Sequence, residues 1–178
     1  MEGRVGRKGP LRALFLGRLD PRKGLTRLRD IVDLTPNVEW RAAGRAVLDR
    51  APQPIPGLAV EPPAEGAGLE AVFAWADVLV LPSLFEGSPL TIPETQRMGC
   101  VPLVTCTGAV AEMIAEGVDG FLIPARPNGR DDLRVASDFA SRLAALASDR
   151  PALLAAALPG WAARLEPLLA RLDKVSAP

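Results

Sequence analysis

The stretch Asp77-Val78-Leu79-Val80-Leu81-Pro82 is a continuous aliphatic run closed by a proline. A strand covered on one face alternates apolar and polar residues, whereas a run without alternation suits a strand buried on both faces. The spacing therefore predicts a strand at the centre of a parallel sheet, with helices above and below it. Upstream, Leu11 to Leu16 (LRALFL) is a second apolar run that ends at Gly17. From Gly24 the pattern changes to Leu25, Leu28, Ile31 and Val32 at helical spacing. Val38 to Ala43 (VEWRAA) alternates and stops at Gly44, and Gly57 to Val60 is a shorter apolar piece. The latter lies inside Ala51 to Gly68, a Pro-, Gly- and Ala-rich segment that reads as a connecting loop around one short strand. Downstream come a loop, a helix from Thr91 to Met98, a strand Pro102 to Thr105, a helix Val110 to Ala115 and a strand Gly120 to Ile123. Strands alternating with helices imply right-handed βαβ units. The expected fold class is α/β: a Rossmann-like doubly wound parallel sheet of about six strands with helices on both faces. Asp131 to Ser148 and Pro151 to Leu172, rich in Ala and Leu and broken at Pro159-Gly160, read as a helical tail over residues 131–178.

Composition excludes much of chemistry. The chain has 178 residues, 48% apolar and 24% charged, which fits one folded domain over residues 1–178 and contains no run long enough for a bilayer span. Lys plus Arg number 21 and Asp plus Glu number 21, so no general positive field attracts nucleic acid or anionic lipid, and any anion site must be local. Histidine is absent, which removes Ser/His/Asp triads, Cys/His dyads, HExxH zinc chemistry and imidazole bases. Cys100 and Cys106 lack metal-ligand spacing and read as buried thiols of a reducing compartment, so no metal is expected. The N-terminal residues lack a signal-peptide pattern, since Arg18, Asp20, Arg22 and Lys23 interrupt the apolar run. The expected location is the cytoplasm.

Two segments carry candidate chemistry. Gly17-Arg18-Leu19-Asp20-Pro21-Arg22-Lys23-Gly24 is a glycine-bounded loop with three cations just before a helix, a composition that can hold phosphate. It matches neither GxGxxG nor the Walker pattern, which disfavours a nicotinamide-binding domain, and its bland alternative is a solvated turn. Behind the buried strand the chain reads Pro82-Ser83-Leu84-Phe85-Glu86-Gly87-Ser88-Pro89-Leu90-Thr91-Ile92-Pro93-Glu94. Glu86 falls in the loop at the strand's carboxyl end and Glu94 in the first helical turn. Ligands of open α/β sheets bind at that edge, and free amides from Gly87 to Thr91 suit a diphosphate while a carboxylate suits vicinal hydroxyls. Thr91-Ile92-Pro93-Glu94 also fits a capping box, in which Glu94 would only satisfy backbone donors. Glu86, between Phe85 and Gly87, is an awkward place for a purely structural acid.

These residues resemble the C-terminal, donor-binding domain of GT-B glycosyltransferases of the large retaining family 4, the glycosyl transferases group 1. That family includes sucrose synthases and transferases of bacterial envelope polysaccharide synthesis. Three stretches carry the resemblance: GRLDPRKG (17–24), ADVLVLPSLFEGSPLTIPETQRMGCVPLVT (76–105) and GAVAEMIAEGVDGFLIP (108–124). It implies a hexosyltransferase without a required cofactor, whose donor is a UDP-, GDP- or ADP-sugar. By the same resemblance Arg18 and Lys23 contact the diphosphate and stabilise the departing nucleotide. Glu86, first acid of the E-x7-E pattern, contacts the transferred sugar, Glu94 binds the ribose hydroxyls, and Gly87, Ser88, Pro89, Leu90 and Thr91 form the loop at the phosphates. Anomeric configuration is retained by front-face displacement, with the leaving phosphate as base.

Departures from the family pattern accompany the match. Ser88-Pro89 replaces the usual Phe-Gly or Phe-Pro, and Gly108-Ala109 replaces Gly-Gly. The family's N-terminal acceptor domain has no counterpart in these residues. The implied partner is that missing half, in cis or in trans, through which any contact with the inner face of the membrane would run. The fragment alone is expected to be inactive. The alternative function is a non-catalytic interaction or structural module that keeps the fold without the donor. Trp161, Leu165, Leu168, Leu169 and Leu172 are spaced as one apolar face of the tail.

Overall fold

The computed structural model describes residues 7–45, 54–63, 65–126 and 132–149. Six strands, β1 (Leu11–Leu16), β2 (Val38–Ala43), β3 (Leu58–Glu61), β4 (Val78–Leu81), β5 (Val101–Cys106) and β6 (Phe121–Pro124), form one sheet in the order β3-β2-β1-β4-β5-β6. Every pairing is parallel. The helices are α1 (Leu25–Leu34), α2 (Ala67–Trp75), α3 (Thr91–Arg97), α4 (Val110–Met113) and α5 (Asp132–Ser148), and a 3-10 turn, Pro21–Lys23, precedes α1.

The apolar runs without alternation are explained by two cores. Leu11, Ala13, Phe15, Val78, Val80, Val101 and Leu103 face one way, onto Leu28 and Ile31 of α1 and Phe139 and Leu143 of α5. Leu14, Leu16, Leu79, Leu81 and Val104 face the other, onto Phe73 of α2, Ile92 of α3 and Val110 of α4. Strand side chains alternate between faces, so both parities must be apolar when both faces are covered. β4 is wholly buried and central, as its sequence predicts.

The helix α2 corrects the reading of Ala51 to Gly68 as loop, because it begins inside that segment at Ala67. Only Val72 and Phe73 of α2 are buried, so it lacks the stripe that marks an amphipathic helix. Cys100 is buried as expected, whereas Cys106 is half-buried at the end of β5, and both are free thiols. The expected helix Pro151 to Leu172, with Trp161 and the leucines assigned to its face, lies outside the described residues. Among the described residues no helix is long and apolar enough to cross a membrane.

Candidate functional site

The order β3-β2-β1-β4-β5-β6 reverses direction between β1 and β4. The chain leaves β1 toward β2 and β3, then crosses back to β4 and builds outward to β6. Loops that depart to opposite sides leave a crevice at the carboxyl edge, which is where open α/β sheets bind ligands. The loop after β1 is Gly17–Gly24 and the loop after β4 is Pro82–Leu90, so the two candidate segments are brought together by topology alone.

Backbone packing holds the two loops in contact. The amide of Leu84 donates to the carbonyl of Arg22 at 2.8 Å. Gly24 sits at φ +77°, and a Cβ built there would lie 2.1 Å from the Pro82 carbonyl oxygen. Only glycine meets both conditions. Within the first loop, Asp20 is buried; its Oδ1 accepts from the Lys23 amide at 3.1 Å and its Oδ2 lies 3.2 Å from Arg18 Nη2. This Asp cap sets the 3-10 turn that aims Lys23 across the crevice. A third loop, after β5, closes the far side. A Cβ on Gly108 would stand 1.8 Å from the carbonyl oxygen of Glu86, and the Ala109 amide donates to the Gly87 carbonyl at 3.1 Å.

Lys23 Nζ donates to both carboxylate oxygens of Glu86, at 2.7 and 2.9 Å, and Ser83 Oγ donates to Glu86 Oε1 at 2.6 Å. Glu86 is 7% exposed. Desolvated charges persist only when paired and hydrogen-bonded, and this carboxylate is both. The expected cation pair is thereby divided: Lys23 meets Glu86, while the more exposed Arg18 meets Asp20. Beyond Glu86, the amides of Gly87, Ser88, Leu90 and Thr91 donate to no backbone or side-chain acceptor among the described residues, and Pro89 has none to donate. Glu94 stands half-buried in the first turn of α3. Its carboxylate has no partner among the described residues. The capping box does not form, because Leu90 is the N-cap and no side chain caps the helix. Thr91 is already inside the helix, so its hydroxyl cannot reach forward as a cap.

A neighbouring hollow of about 260 Å³ opens beside the first loop, lined by Gly17, Arg18, Gly44, Arg45, Pro63 and Leu69. Gly44 packs directly on Gly17, since a Cβ there would meet the Gly17 carbonyl oxygen at 1.8 Å. Sequence reasoning missed two residues that build the site, Ser83 and Arg27. Arg27 is 1% exposed and donates to the carbonyls of Pro82 and Ser83. The available signal was its place four residues before Ile31, on the buried stripe of α1.

Chemically, the edge offers Lys23 paired with Glu86, Arg18 paired with Asp20, an exposed Arg22, four amides without an acceptor among the described residues and two glutamates in different states of pairing. That set fits a ligand with both phosphate and hydroxyl groups.

Known proteins share this arrangement of strands. A profile described as Glycosyl transferases group 1 matches residues 10–149. The glycogen synthase of Chlamydia trachomatis serovar L2 is 46% identical over 50 residues, covering 28% of this chain and 10% of that protein. Anabaena HepE, crystallised with UDP-glucose, superposes with a TM-score of 0.69 at 18% identity, over 88% of this chain and 44% of that one. The C-terminal domain of a glycosyl transferase group 1 family protein (LpcC) from Francisella tularensis superposes with a TM-score of 0.66 at 18% identity, over 90% and 88% of the two chains. The chain thus spans less than half of HepE and aligns with a tenth of the synthase, but it matches most of an isolated C-terminal domain. At these structural identities the likeness concerns the fold.

Proposed function

From the premise that this chain belongs to the glycosyl transferases group 1 family, we propose that it is the donor-binding half of a retaining glycosyltransferase. The enzyme moves a hexosyl group from a nucleotide-diphosphate sugar, with UDP, GDP or ADP as the nucleotide, to an acceptor. Residues 1–178 form one domain, and an N-terminal GT-B domain, in cis or in trans, supplies the acceptor wall and any contact with the inner face of the membrane. The work is cytoplasmic.

The observation that carries this reading is the meeting of Lys23 with the Glu86 carboxylate at the β1/β4 crevice, followed along the chain by the amides of Gly87, Ser88, Leu90 and Thr91 and by the Glu94 carboxylate, which have no partner among the described residues. The diphosphate lies against those amides, with Lys23 and Arg18 as its cations. Glu94 accepts hydrogen bonds from the ribose hydroxyls, and Glu86 meets the transferred sugar. In the reaction the bond from the anomeric carbon to the phosphate oxygen breaks and a bond to the acceptor oxygen forms on the same face. The acceptor's proton passes to the departing phosphate, so no imidazole is needed. Negative charge grows on the leaving diphosphate in the transition state, where a preorganised lysine and amides act most strongly. The resting Lys23–Glu86 pair is the starting state, in which each ligand-binding charge keeps the other solvated by protein until donor arrives.

One observation favours a second reading, a non-catalytic module: Lys23 and Glu86 already neutralise each other. The two readings part in a calorimetric titration of UDP, GDP, ADP and their hexose conjugates. Saturable binding of one nucleotide sugar, lost in Lys23→Ala and Glu94→Ala, supports the donor domain. No binding by any at millimolar concentration overturns it.

A further inference from the structure

We propose that Arg27 is a positioning residue for Glu86, and that through Glu86 it lets the site distinguish a sugar-bearing donor from a bare nucleoside diphosphate. The second part rests on the reading above that Glu86 faces the transferred sugar.

Arg27 is the largest fully buried side chain of the described residues. Its guanidinium forks onto three separate segments. Nε donates to Asp132 Oδ1 at 2.6 Å, at the start of α5. Nη1 lies 3.4 and 3.3 Å from the carbonyls of Pro82 and Ser83, in the loop after β4. Nη2 donates to the Arg126 carbonyl at 3.2 Å, in the segment after β6. No other side-chain type carries this many donors in a fixed plane, so one residue ties three chain segments together near the sheet's carboxyl edge.

Stability alone gives a poor account of it. A leucine would complete the apolar stripe of Leu28, Ile31 and Val32, and a buried ion pair replaced as a whole by apolar residues often loses no stability, whereas removing Arg27 alone strands Asp132 at a cost in stability. What a leucine cannot do is hold Ser83. The Ser83 carbonyl is held by Arg27 while the Ser83 hydroxyl holds Glu86 Oε1. Lys23, in the 3-10 turn that precedes α1, grips the same carboxylate from the other loop. Glu86 is therefore placed by two cations of adjoining turns, one touching it and one acting through Ser83.

The test uses the full chain, with Arg27→Leu, Arg27→Lys and, as a core-destabilising control at the far end of α5 from Asp132, Leu146→Ala. UDP-glucose and UDP are titrated by calorimetry, with the GDP and ADP pairs in parallel. The Glu86 carboxylate ¹³C signal, identified by its loss in Glu86→Gln, is followed without ligand. In Arg27→Leu the preference for the sugar conjugate over the free diphosphate should fall about tenfold, the effect of one misplaced charge-assisted hydrogen bond, with diphosphate affinity nearly unchanged. The Glu86 signal should shift or broaden. Arg27→Lys keeps a charge for Asp132 but cannot span three segments, so it should recover thermal stability and not the preference, and it decides the matter should Arg27→Leu fail to fold. Leu146→Ala should alter neither readout. Equal weakening of both ligands, or an unmoved Glu86 signal in the Arg27 variants, overturns the positioning role. If no nucleotide binds the wild type, the donor-domain reading fails separately, and the Glu86 signal alone upholds or overturns the positioning of Glu86.

Discussion

Lys23 Nζ stands 2.7 Å and 2.9 Å from the two oxygens of Glu86, joining residues 63 positions apart across the loops that leave β1 and β4. Side-chain exposures are 18% for Lys23 and 8% for Glu86, so the pair is largely shielded from solvent. Shielding makes both the attraction and the desolvation penalty larger than at the surface, and removing one member strands the other.

Lys23→Met should therefore destabilise the fold by about 1–3 kcal/mol, because Glu86 would keep Ser83 alone as partner. Adding Glu86→Gln removes the stranded charge, so the double variant should recover part of that loss. Urea unfolding of the four proteins checks this as a double-mutant cycle, and simple additivity would mean that the pair is not coupled. The same Lys23→Met should weaken inorganic pyrophosphate binding about tenfold, read by calorimetry.

Three glycines at this edge make a graded series. Gly24→Ala places a Cβ 2.1 Å from the Pro82 oxygen at φ +77°, and Gly108→Ala places one 1.8 Å from the Glu86 oxygen at φ +55°. Each should lower stability by about 2 kcal/mol or more, since both clash and backbone strain act and the obstacle is backbone. Gly87 has nothing within 4 Å of a built Cβ, so Gly87→Ala should fall within about 0.5 kcal/mol of wild type. Thermal unfolding of the three variants gives the comparison directly.

The legible parts of this fold were those governed by period. LRALFL and DVLVL admit helices on both faces only if both parities are apolar, and the two cores use both parities. The helix Ala67–Trp75 was hidden because AGLEAVFAW follows a Pro/Gly-rich stretch and buries only two of its nine residues, which leaves no stripe to detect. Glu86 and Glu94 lie where the pattern predicts, in the loop after β4 and in the first turn of α3. The capping box at Thr91 was decided one residue upstream, where Leu90 takes the N-cap. What sequence could not convey was mutual reach. Assigning Lys23 to phosphate and Glu86 to sugar treats each charge as waiting for a ligand, and only strand order shows that they can meet first. Arg27 is hard to read as buried because arginine is expected at the surface, although its spacing puts it on the buried face.

Asp30, on α1, provides a pH test. Partial burial, then the nearby charges of Asp33 and Asp132, raise its pKa above the ordinary 3.8, against a smaller opposing effect of Arg29. A carboxyl whose folded pKa exceeds its unfolded value binds its proton more tightly in the native state. Ionising it therefore costs stability, and this cost grows as pH rises through the interval between the two values. Asp30→Asn should raise the melting temperature at pH 7, with the gain shrinking toward zero below about pH 3.8. A gain that is constant with pH would assign the effect to packing instead of charge.

Glu94 separates ligand contact from structure most cleanly. Its carboxylate has no hydrogen bond or ion pair among the described residues, and it caps nothing, so the fold has no evident use for it. Glu94→Gln should leave urea unfolding within about 0.5 kcal/mol of wild type. If Glu94 accepts two ribose hydroxyls, losing its charge should weaken nucleoside diphosphates about tenfold or more, because charge-assisted hydrogen bonds are roughly twice as strong as neutral ones. Inorganic pyrophosphate has no ribose and should bind the variant as it binds wild type, whereas Lys23→Met should weaken both ligands because both carry the diphosphate. Calorimetry with the two ligands on the two variants gives a selective loss in Glu94→Gln beside a common loss in Lys23→Met only if Glu94 reads hydroxyls and Lys23 phosphates. Losses for both ligands in Glu94→Gln would return Glu94 to a general electrostatic role and remove its assignment to the ribose.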